Sequence, residues 1–196
     1  MRLKGIRLGF VVTGSHCTLK EVIAEAEKLA AEGAEITPVV SYAVSNTDTR
    51  FGKAADWCSR LNEIAGKEPI KSIEAAEPIG PGKLLDILVV APCTGNTLAK
   101  LANGIADTPA LMAIKAHLRN QRPVVIAVST NDGLGLNARN IATLINTKYI
   151  YMVPFGQDNP VAKPNSLVAK LDQLLNTVCC ALEGKQLQPL LIQAAK

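Results

Sequence analysis

Ser15, His16 and Cys17 stand side by side in the segment FVVTGSHCTLKE, Phe10 to Glu21. A serine beside a histidine is the raw material of a nucleophile with its base. A histidine beside a cysteine is that of a metal site. A Gly-Ser pair ahead of a helix is that of a phosphate cradle. The surroundings separate the three. A nucleophile elbow needs Gly-x-Ser-x-Gly, which is absent here. The chain holds five cysteines, Cys17, Cys58, Cys93, Cys179 and Cys180, with no Cys-x-x-Cys pair, and two histidines, His16 and His117. That is a poor ligand supply for zinc, and no metal is expected. Gly14 lets a ligand approach the backbone, Ser15 offers a hydroxyl, and a helix start presents free N–H groups that favour an anion. A plain strand-to-helix turn explains the same residues.

Three further loops carry chemistry-bearing residues. Ser41 ends an apolar run and is followed by the polar stretch YAVSNTDTRF, whose one cation is Arg50. The segment APCTGNTLAKLANGIADTP, Ala91 to Pro109, crowds Thr94, Asn96 and Thr97 at one helix start, where capping needs only one of them. Asn96 both donates and accepts, so it suits an amide-like ring edge or a carboxylate. STNDGLG, Ser129 to Gly135, piles hydrogen-bonding groups and glycines at another strand end, although Asn131 and Asp132 also suit an Asx turn. Two phosphate motifs are missing. There is no Gly-x-Gly-x-x-Gly, and the Gly80–Lys83 segment GPGK is no P-loop, because Glu77 stands where the first glycine belongs and Leu84 replaces Ser/Thr. GPGK reads as a surface turn.

The elements that must position these loops follow from hydrophobic spacing. IRLGFVV (Ile6–Val12) reads as a strand. Thr18 with Glu21 reads as a capping box, and Val22, Ile23, Ala26, Leu29 and Ala30 form a helical stripe ended by Gly33. Glu35–Ser41 reads as a second strand, so the first forty residues make a right-handed βαβ unit with parallel strands. The pattern then repeats: helix Phe51–Gly66, strand Asp86–Pro92, a short helix through Ala102, helix Pro109 to about Leu118, strand Pro123–Ser129, helix Leu136–Ile145 and strand Tyr149–Pro154. FGQDNPVAKP reads as a loop, Asn165–Glu183 as the last long helix, and 185–196 as a peripheral tail. The expected architecture is one α/β domain over 1–196, a three-layer doubly wound parallel sheet. In such sheets ligands bind beyond the carboxyl ends of the strands, which is where all four loops fall.

Composition narrows the partners. Charged residues make up 19% and aromatics 4%, with a net charge of +4 and no basic run, so neither base stacking nor phosphate-backbone binding is expected. No apolar stretch approaches the length that crosses a membrane. The N-terminal MRLKGIRLGFVV lacks a cleavage site and reads as a strand. Scattered, unpaired cysteines suit a reducing cytoplasm.

APCTGNTLAKLANGIADT resembles the motif of the homo-oligomeric flavin-containing cysteine decarboxylases, Pro-Ala-Ser-Ala-Asn-Thr followed by a helix and an Asn-Gly-Ile-Ala-Asp turn. Pro92, Asn96 and Thr97 match it, while Cys93, Thr94 and Gly95 vary. VTGSHC resembles that family's first loop, where a Gly-Ser pair meets the FMN phosphate. The resemblance implies a Rossmann-like, flavodoxin-like fold and an FMN site built from Gly14, Ser15, Ser41, Pro92, Thr94, Asn96, Thr97, Ser129 and Thr130. It also implies a homo-oligomer, a trimer or dodecamer, with the flavin where two copies meet. Two departures bear on the chemistry. The decarboxylases use a histidine after the second or third strand, and residues 42–83 contain none. Their substrate-clamping Pro-Ala-Met-Asn corresponds to Val128-Ser129-Thr130-Asn131, in which only Asn131 matches.

The segments GAEITPVVSYAV, NTDTRFGKAADW, STNDGLGLNARNI, VPFGQD and GKQLQP are similar to a redox branch of the same superfamily. That likeness implies an FMN-binding protein working with a nicotinamide-binding partner, which holds NADP or NAD. The pair would oxidise a small dihydro ring dicarboxylate to a pyridine dicarboxylate in the mother cell of a sporulating bacterium. The catalytic candidates are Arg50, whose fork of donors matches a carboxylate, His16 as a proton relay, and Asn131. The alternatives are an FMN-dependent decarboxylase of a phosphopantothenoylcysteine- or peptidyl-cysteine-like substrate, a scaffold that no longer turns over flavin, and a Ser15–His16 hydrolase.

Overall fold

The computed structural model describes residues 1–192, so the end of the expected tail, 193–196, lies outside the described residues. Five strands run parallel: β1 (Arg7–Val12), β2 (Glu35–Val40), β3 (Ile87–Cys93), β4 (Val124–Thr130) and β5 (Ile150–Met152). They lie in the order β2-β1-β3-β4-β5. The winding direction reverses between β1 and β3, and in such sheets ligands bind beyond the carboxyl ends there. Every residue of β3 is buried, as are nearly all of β1 and β4, because helices cover both faces.

The helices are α1 (Leu19–Ala31), α2 (Tyr42–Asn46), α3 (Ala54–Ala65), α4 (Ile73–Ala76), α5 (Gly95–Ala102), α6 (Pro109–Leu118), α7 (Ala138–Ile145) and α8 (Leu174–Leu182). They form two contacting groups, α1 with α3 and α8, and α6 with α4 and α5, the latter also touching α7. In α1 the stripe Leu19, Val22, Ile23, Ala26 and Leu29 is buried, as its spacing dictates. Gly33 follows at φ +93°, where a Cβ would sit 3.0 Å from the Lys4 backbone.

Several sequence expectations need correction. Residues 155–164 are not a loop, and the last helix does not start at Asn165. Instead β6 (Phe155–Asn159) and β7 (Lys163–Ala169) form an antiparallel hairpin, with β7 paired to Ser129 and Thr130 of β4. The hairpin makes the seven-stranded sheet mixed rather than wholly parallel. Its turn is set by Asn159, whose side-chain oxygen accepts from the N–H of Val161 (3.2 Å) and Ala162 (2.8 Å). Leu167, Leu171, Leu174 and Val178 happen to fall at helical spacing, which disguises a strand, a turn and α8 as one helix. The capping box also does not form. His16–Thr18 is a 3₁₀ turn in which Thr18 is already helical (φ −102°, ψ −4°), and its hydroxyl donates to the Ser15 carbonyl at 2.9 Å. Finally, the polar stretch after Ser41 begins with the short helix α2.

The tail is tied down as far as it is described. The Gln186 side-chain amide accepts from Met152 N–H (2.8 Å) and donates to Met152 C=O (2.7 Å), filling one position on the open edge of β5. Leu190 C=O and Ile192 N–H bond to Phe155.

Candidate functional site

The carboxyl ends of β1, β3 and β4 are tied together by hydroxyl groups. Thr13, 1% exposed, donates its hydroxyl to the Pro92 carbonyl (2.7 Å) and accepts from the Thr94 N–H (3.1 Å). This locks the first loop to the start of α5. Beyond that tie the Ser15 and Ser129 hydroxyls meet at 2.9 Å. Their strands are not neighbours, since β3 lies between them, so the pair spans the end of β3 at the switch point. A register shift between Val90 and Cys93 bends that strand end.

The Gly14–Thr18 turn carries the first row of donors. Ser15 N–H bonds back to the Thr13 carbonyl at 2.8 Å, and the 3₁₀ turn that begins at His16 leaves its leading N–H groups without helical partners. A Cβ on Gly14 would lie 2.9 Å from the Ala43 Cβ and 3.7 Å from His16 Nε2. The first loop, α2 and the His16 ring therefore pack closely together at Gly14. Two buried polar atoms at this corner have no hydrogen-bond partner, the Ser41 hydroxyl and His16 Nδ1. Ser41 heads α2 with the extended backbone of an N-cap, yet its side chain caps nothing. Buried polar groups left without partners are uncommon and call for an explanation at that place.

Thr94 caps α5, its hydroxyl accepting from Thr97 N–H (3.3 Å) and lying 3.0 Å from the Thr97 hydroxyl. Asn96 on the same first turn is exposed. The loop after β4 is braced by a chain of amides. Asp132 accepts from Leu136 N–H (3.0 Å) and from the Asn137 side chain (3.2 Å), and Asn137 accepts from the Asn140 side chain (2.9 Å). Thr130 Oγ1 accepts from Asp132 N–H at 3.3 Å. Gly95 nests against this brace: a Cβ there would fall 2.6 Å from Thr130 Oγ1 and 2.7 Å from Asn137 Nδ2. The third expected loop is thus fastened to the fourth.

Of the residues singled out in the sequence, the structure brings Gly14, Ser15, His16, Ser41, Pro92, Thr94, Asn96, Thr97, Ser129 and Thr130 to one end of the sheet. Asn131 is at the same end, exposed. Among the described residues Arg50 forms no hydrogen bond with Ser15 or Ser129. Arg50 sits on an exposed tight turn with its guanidinium 4.8 Å over the Phe51 ring. That turn is stiff, closed by reciprocal Thr49–Gly52 backbone bonds of 3.0 and 3.1 Å and braced by Asp48, which accepts from Ala54 N–H at 2.8 Å. Cys93 is fully buried, and burial pushes its thiol far up, so it packs as a neutral side chain. Sequence reasoning missed Thr13, Asn137 and Asn140. Thr13 could have been found as the polar residue between an apolar strand and Gly14-Ser15. The two asparagines act through contacts that spacing does not reveal. Among the described residues no helix is long and apolar enough to cross a membrane.

The Flavoprotein family matches residues 1–179. The chain is 53% identical over 191 residues to the dipicolinate synthase B subunit of Bacillus subtilis (strain 168), an alignment covering 97% of this chain and 96% of the relative. It superposes on the crystal structure of the dipicolinate synthase B subunit from Bacillus halodurans with a TM-score of 0.91 and 49% identity, covering both chains completely. The FMN-dependent cysteine decarboxylase SpaF shares the fold, with a TM-score of 0.68 at 22% identity over 92% of this chain and 99% of that one.

Proposed function

The chain belongs to the Flavoprotein family, and on that footing we propose that it binds FMN at the carboxyl rim and serves as the flavin-fold B subunit of a dipicolinate synthase. In this reading it works with the A subunit of that enzyme, which carries NADP or NAD, and oxidises dihydrodipicolinate to dipicolinate in the cytoplasm of the mother cell during sporulation. The observation that carries the cofactor assignment is the pair of buried, partnerless polar atoms, Ser41 Oγ and His16 Nδ1, at the corner where Gly14 packs against α2. Burying such atoms alone costs about 1–3 kcal/mol each, a cost that a phosphate accepting their hydrogens would offset. The residues fit the group. Gly14, Ser15 and Ser41 would hold the phosphate, and Pro92, Thr94, Asn96, Thr97, Ser129 and Thr130 would face the ring.

When bound, the flavin supplies a two-electron acceptor. The chain's own residues supply binding and proton handling. Oxidation of the dihydro ring removes a hydride and a proton, and His16 takes the proton at the mouth of the site. Arg50 and Asn131 bind the substrate carboxylates, Arg50 from its stiff turn. The protein acts as a homo-oligomer, a trimer or dodecamer. The lack of any histidine in residues 42–83 favours this redox reading over a cysteine-type decarboxylase.

The deciding experiment is an absorption spectrum of the purified protein with and without added FMN, followed by titration of the Ser15→Asp variant. The reading predicts a bound-flavin spectrum for the wild type and none for the variant. A wild type that takes up no FMN rules it out. Carbon dioxide released from a cysteine peptide would move the assignment to the decarboxylases.

A further inference from the structure

Three buried side-chain atoms have no hydrogen-bond partner among the described residues: Ser41 Oγ, His16 Nδ1 and Trp57 Nε1. The cofactor corner accounts for the first two. Trp57 stands near the start of α3, half-buried against the core. An indole N–H only donates, and a buried one usually finds an acceptor. The neighbour of this ring shows what it does instead. Gly52 closes the tight turn that carries Arg50. A Cβ on Gly52 would fall 2.6 Å from Trp57 Cζ2, 2.8 Å from Cε2 and 2.9 Å from Nε1. The indole therefore packs directly on the backbone of the turn, and no side chain fits between them. Gly52 also has a φ of +150°, which residues with a Cβ rarely adopt. The three contacting atoms span both rings of the indole, so its full width supports the turn.

The turn is held in three ways. Its own backbone closes it through the reciprocal Thr49–Gly52 bonds, Asp48 ties it to the start of α3, and Trp57 props it. What it presents is Arg50 and Phe51, both exposed, with the guanidinium over the aromatic ring. Arg50 takes part in none of the eleven ion pairs among the described residues. A cation without a counter-ion on a fixed support is ready for an outside anion, because little ordering is left to do when one binds. We infer that Trp57 is a positioning residue, which props the turn so that Arg50 meets a carboxylate of the substrate. The indole is kept for its breadth, at the expense of its own hydrogen bond. This inference rests on the reading of Arg50 as a dicarboxylate-binding residue and assigns that residue its support.

The test is calorimetric titration of the full chain with dipicolinate in the presence of saturating FMN. Arg50→Ala is expected to raise the dissociation constant at least about tenfold. Trp57→Ala removes the prop, and Gly52→Ala forces the turn off an intact indole. Each is expected to raise the dissociation constant about five- to tenfold and to leave FMN affinity unchanged. The Arg50→Ala/Trp57→Ala double variant should bind no more weakly than Arg50→Ala alone, because Trp57 acts through Arg50. A general structural effect would instead add to the loss. Circular dichroism shows which variants are folded, and Gly52→Ala decides if Trp57→Ala is not. A wild type that binds no dipicolinate, or an Arg50→Ala variant that binds it as tightly as wild type, overturns the reading of Arg50 and this inference with it. If Arg50→Ala weakens binding while Trp57→Ala and Gly52→Ala do not, or if the losses add in the double variant, this inference alone is overturned.

Discussion

The two ends of the central sheet treat polar groups in opposite ways. At the amino ends of β1, β3 and β4 the charges of Arg7, Asp86 and Arg122 satisfy one another. Asp86 takes two hydrogen bonds from the Arg7 guanidinium, at 2.6 and 3.0 Å, a third from the Arg7 N–H at 3.0 Å, and a fourth from Arg122 at 3.2 Å. The Arg7 guanidinium beside it holds the Asp86 carboxyl below its ordinary value. Arg122 also donates to the Leu85 carbonyl. Asn120 closes on the Gly80 carbonyl at 2.7 Å. At the carboxyl end, hydroxyls pair with hydroxyls, and the Ser41 hydroxyl and His16 Nδ1 are buried without partners. One end is finished by its own residues and the other is left to be completed. Local rules of good packing are broken where function is placed, because a group already satisfied has nothing to offer a ligand. The contrast can be broken in four ways, taken from the largest effect down.

Ser15→Asp is expected to cost the most. It sets a carboxylate directly against a phosphate, and FMN affinity should fall at least about a hundredfold by equilibrium titration. Because Ser15 is half-exposed, urea unfolding of the cofactor-free protein should change by less than about 0.5 kcal/mol. A large loss of stability with intact binding would reverse the roles of the two ends.

The second test belongs to the finished end. His117 is 1% exposed at the end of α6, with Nε2 3.1 Å from the Pro123 carbonyl. A carbonyl only accepts, so Nε2 carries the proton and the ring is neutral. Burial pushes its pKa down from 6.5 to about 4. The unfolded chain therefore takes up a proton first as pH falls. The stability contributed by the neutral ring is complete above pH 6.5, declines between 6.5 and 4, and levels off below. The total loss is about 3 kcal/mol, from roughly 1.4 kcal/mol per unit. His117→Gln, which keeps a donor for Pro123, should flatten that slope in urea titrations at stepped pH.

How much of this contrast the sequence discloses depends on the range of the interaction. The parallel strands and their helices are legible because apolar spacing is local. Gly14-Ser15, Thr94 and Ser129 are legible because loops after parallel strands must gather at one rim. The β6–β7 hairpin is not, because β7 owes its state to the pairing of Leu167 and Val168 with Thr130 and Ser129, a contact distant along the chain that spacing cannot report. The Ser15–Ser129 contact and the Asp132–Asn137–Asn140 brace are hidden because side-chain partners, unlike apolar stripes, leave no periodic trace. Arg50 shows the converse. Its chemistry is plain in the sequence, yet only the structure shows its guanidinium stacked 4.8 Å over the Phe51 ring.

Asp86→Ala comes third. It leaves the Arg7 and Arg122 guanidiniums facing each other without their acceptor. Fully buried pairs lose about 3–5 kcal/mol when one partner goes, but the Asp86 side chain is 30% exposed, so a loss of about 2 kcal/mol is expected. The depressed carboxyl adds a sign: stability from Asp86 is present above its ordinary pKa of 3.8 and is lost as pH falls through the lower folded value. FMN affinity should not change, since the residue lies at the far end of β3. A drop in affinity would mean that the two ends are mechanically coupled.

The smallest effect is the most discriminating, because its two readouts should move in opposite directions. Ser41→Ala deletes a buried hydroxyl that has no partner in the chain. Removing an unsatisfied polar atom relieves its desolvation, so the cofactor-free protein should be unchanged or more stable by up to about 1 kcal/mol. The same hydroxyl is proposed to donate to the phosphate, and losing one such bond should weaken FMN binding about five- to tenfold. Had Ser41 been a structural residue like those of the amino end, stability would fall and binding would hold. Measuring both on one preparation, by urea unfolding and by flavin fluorescence titration, tells whether that corner of the rim is built for a ligand or merely loosely packed.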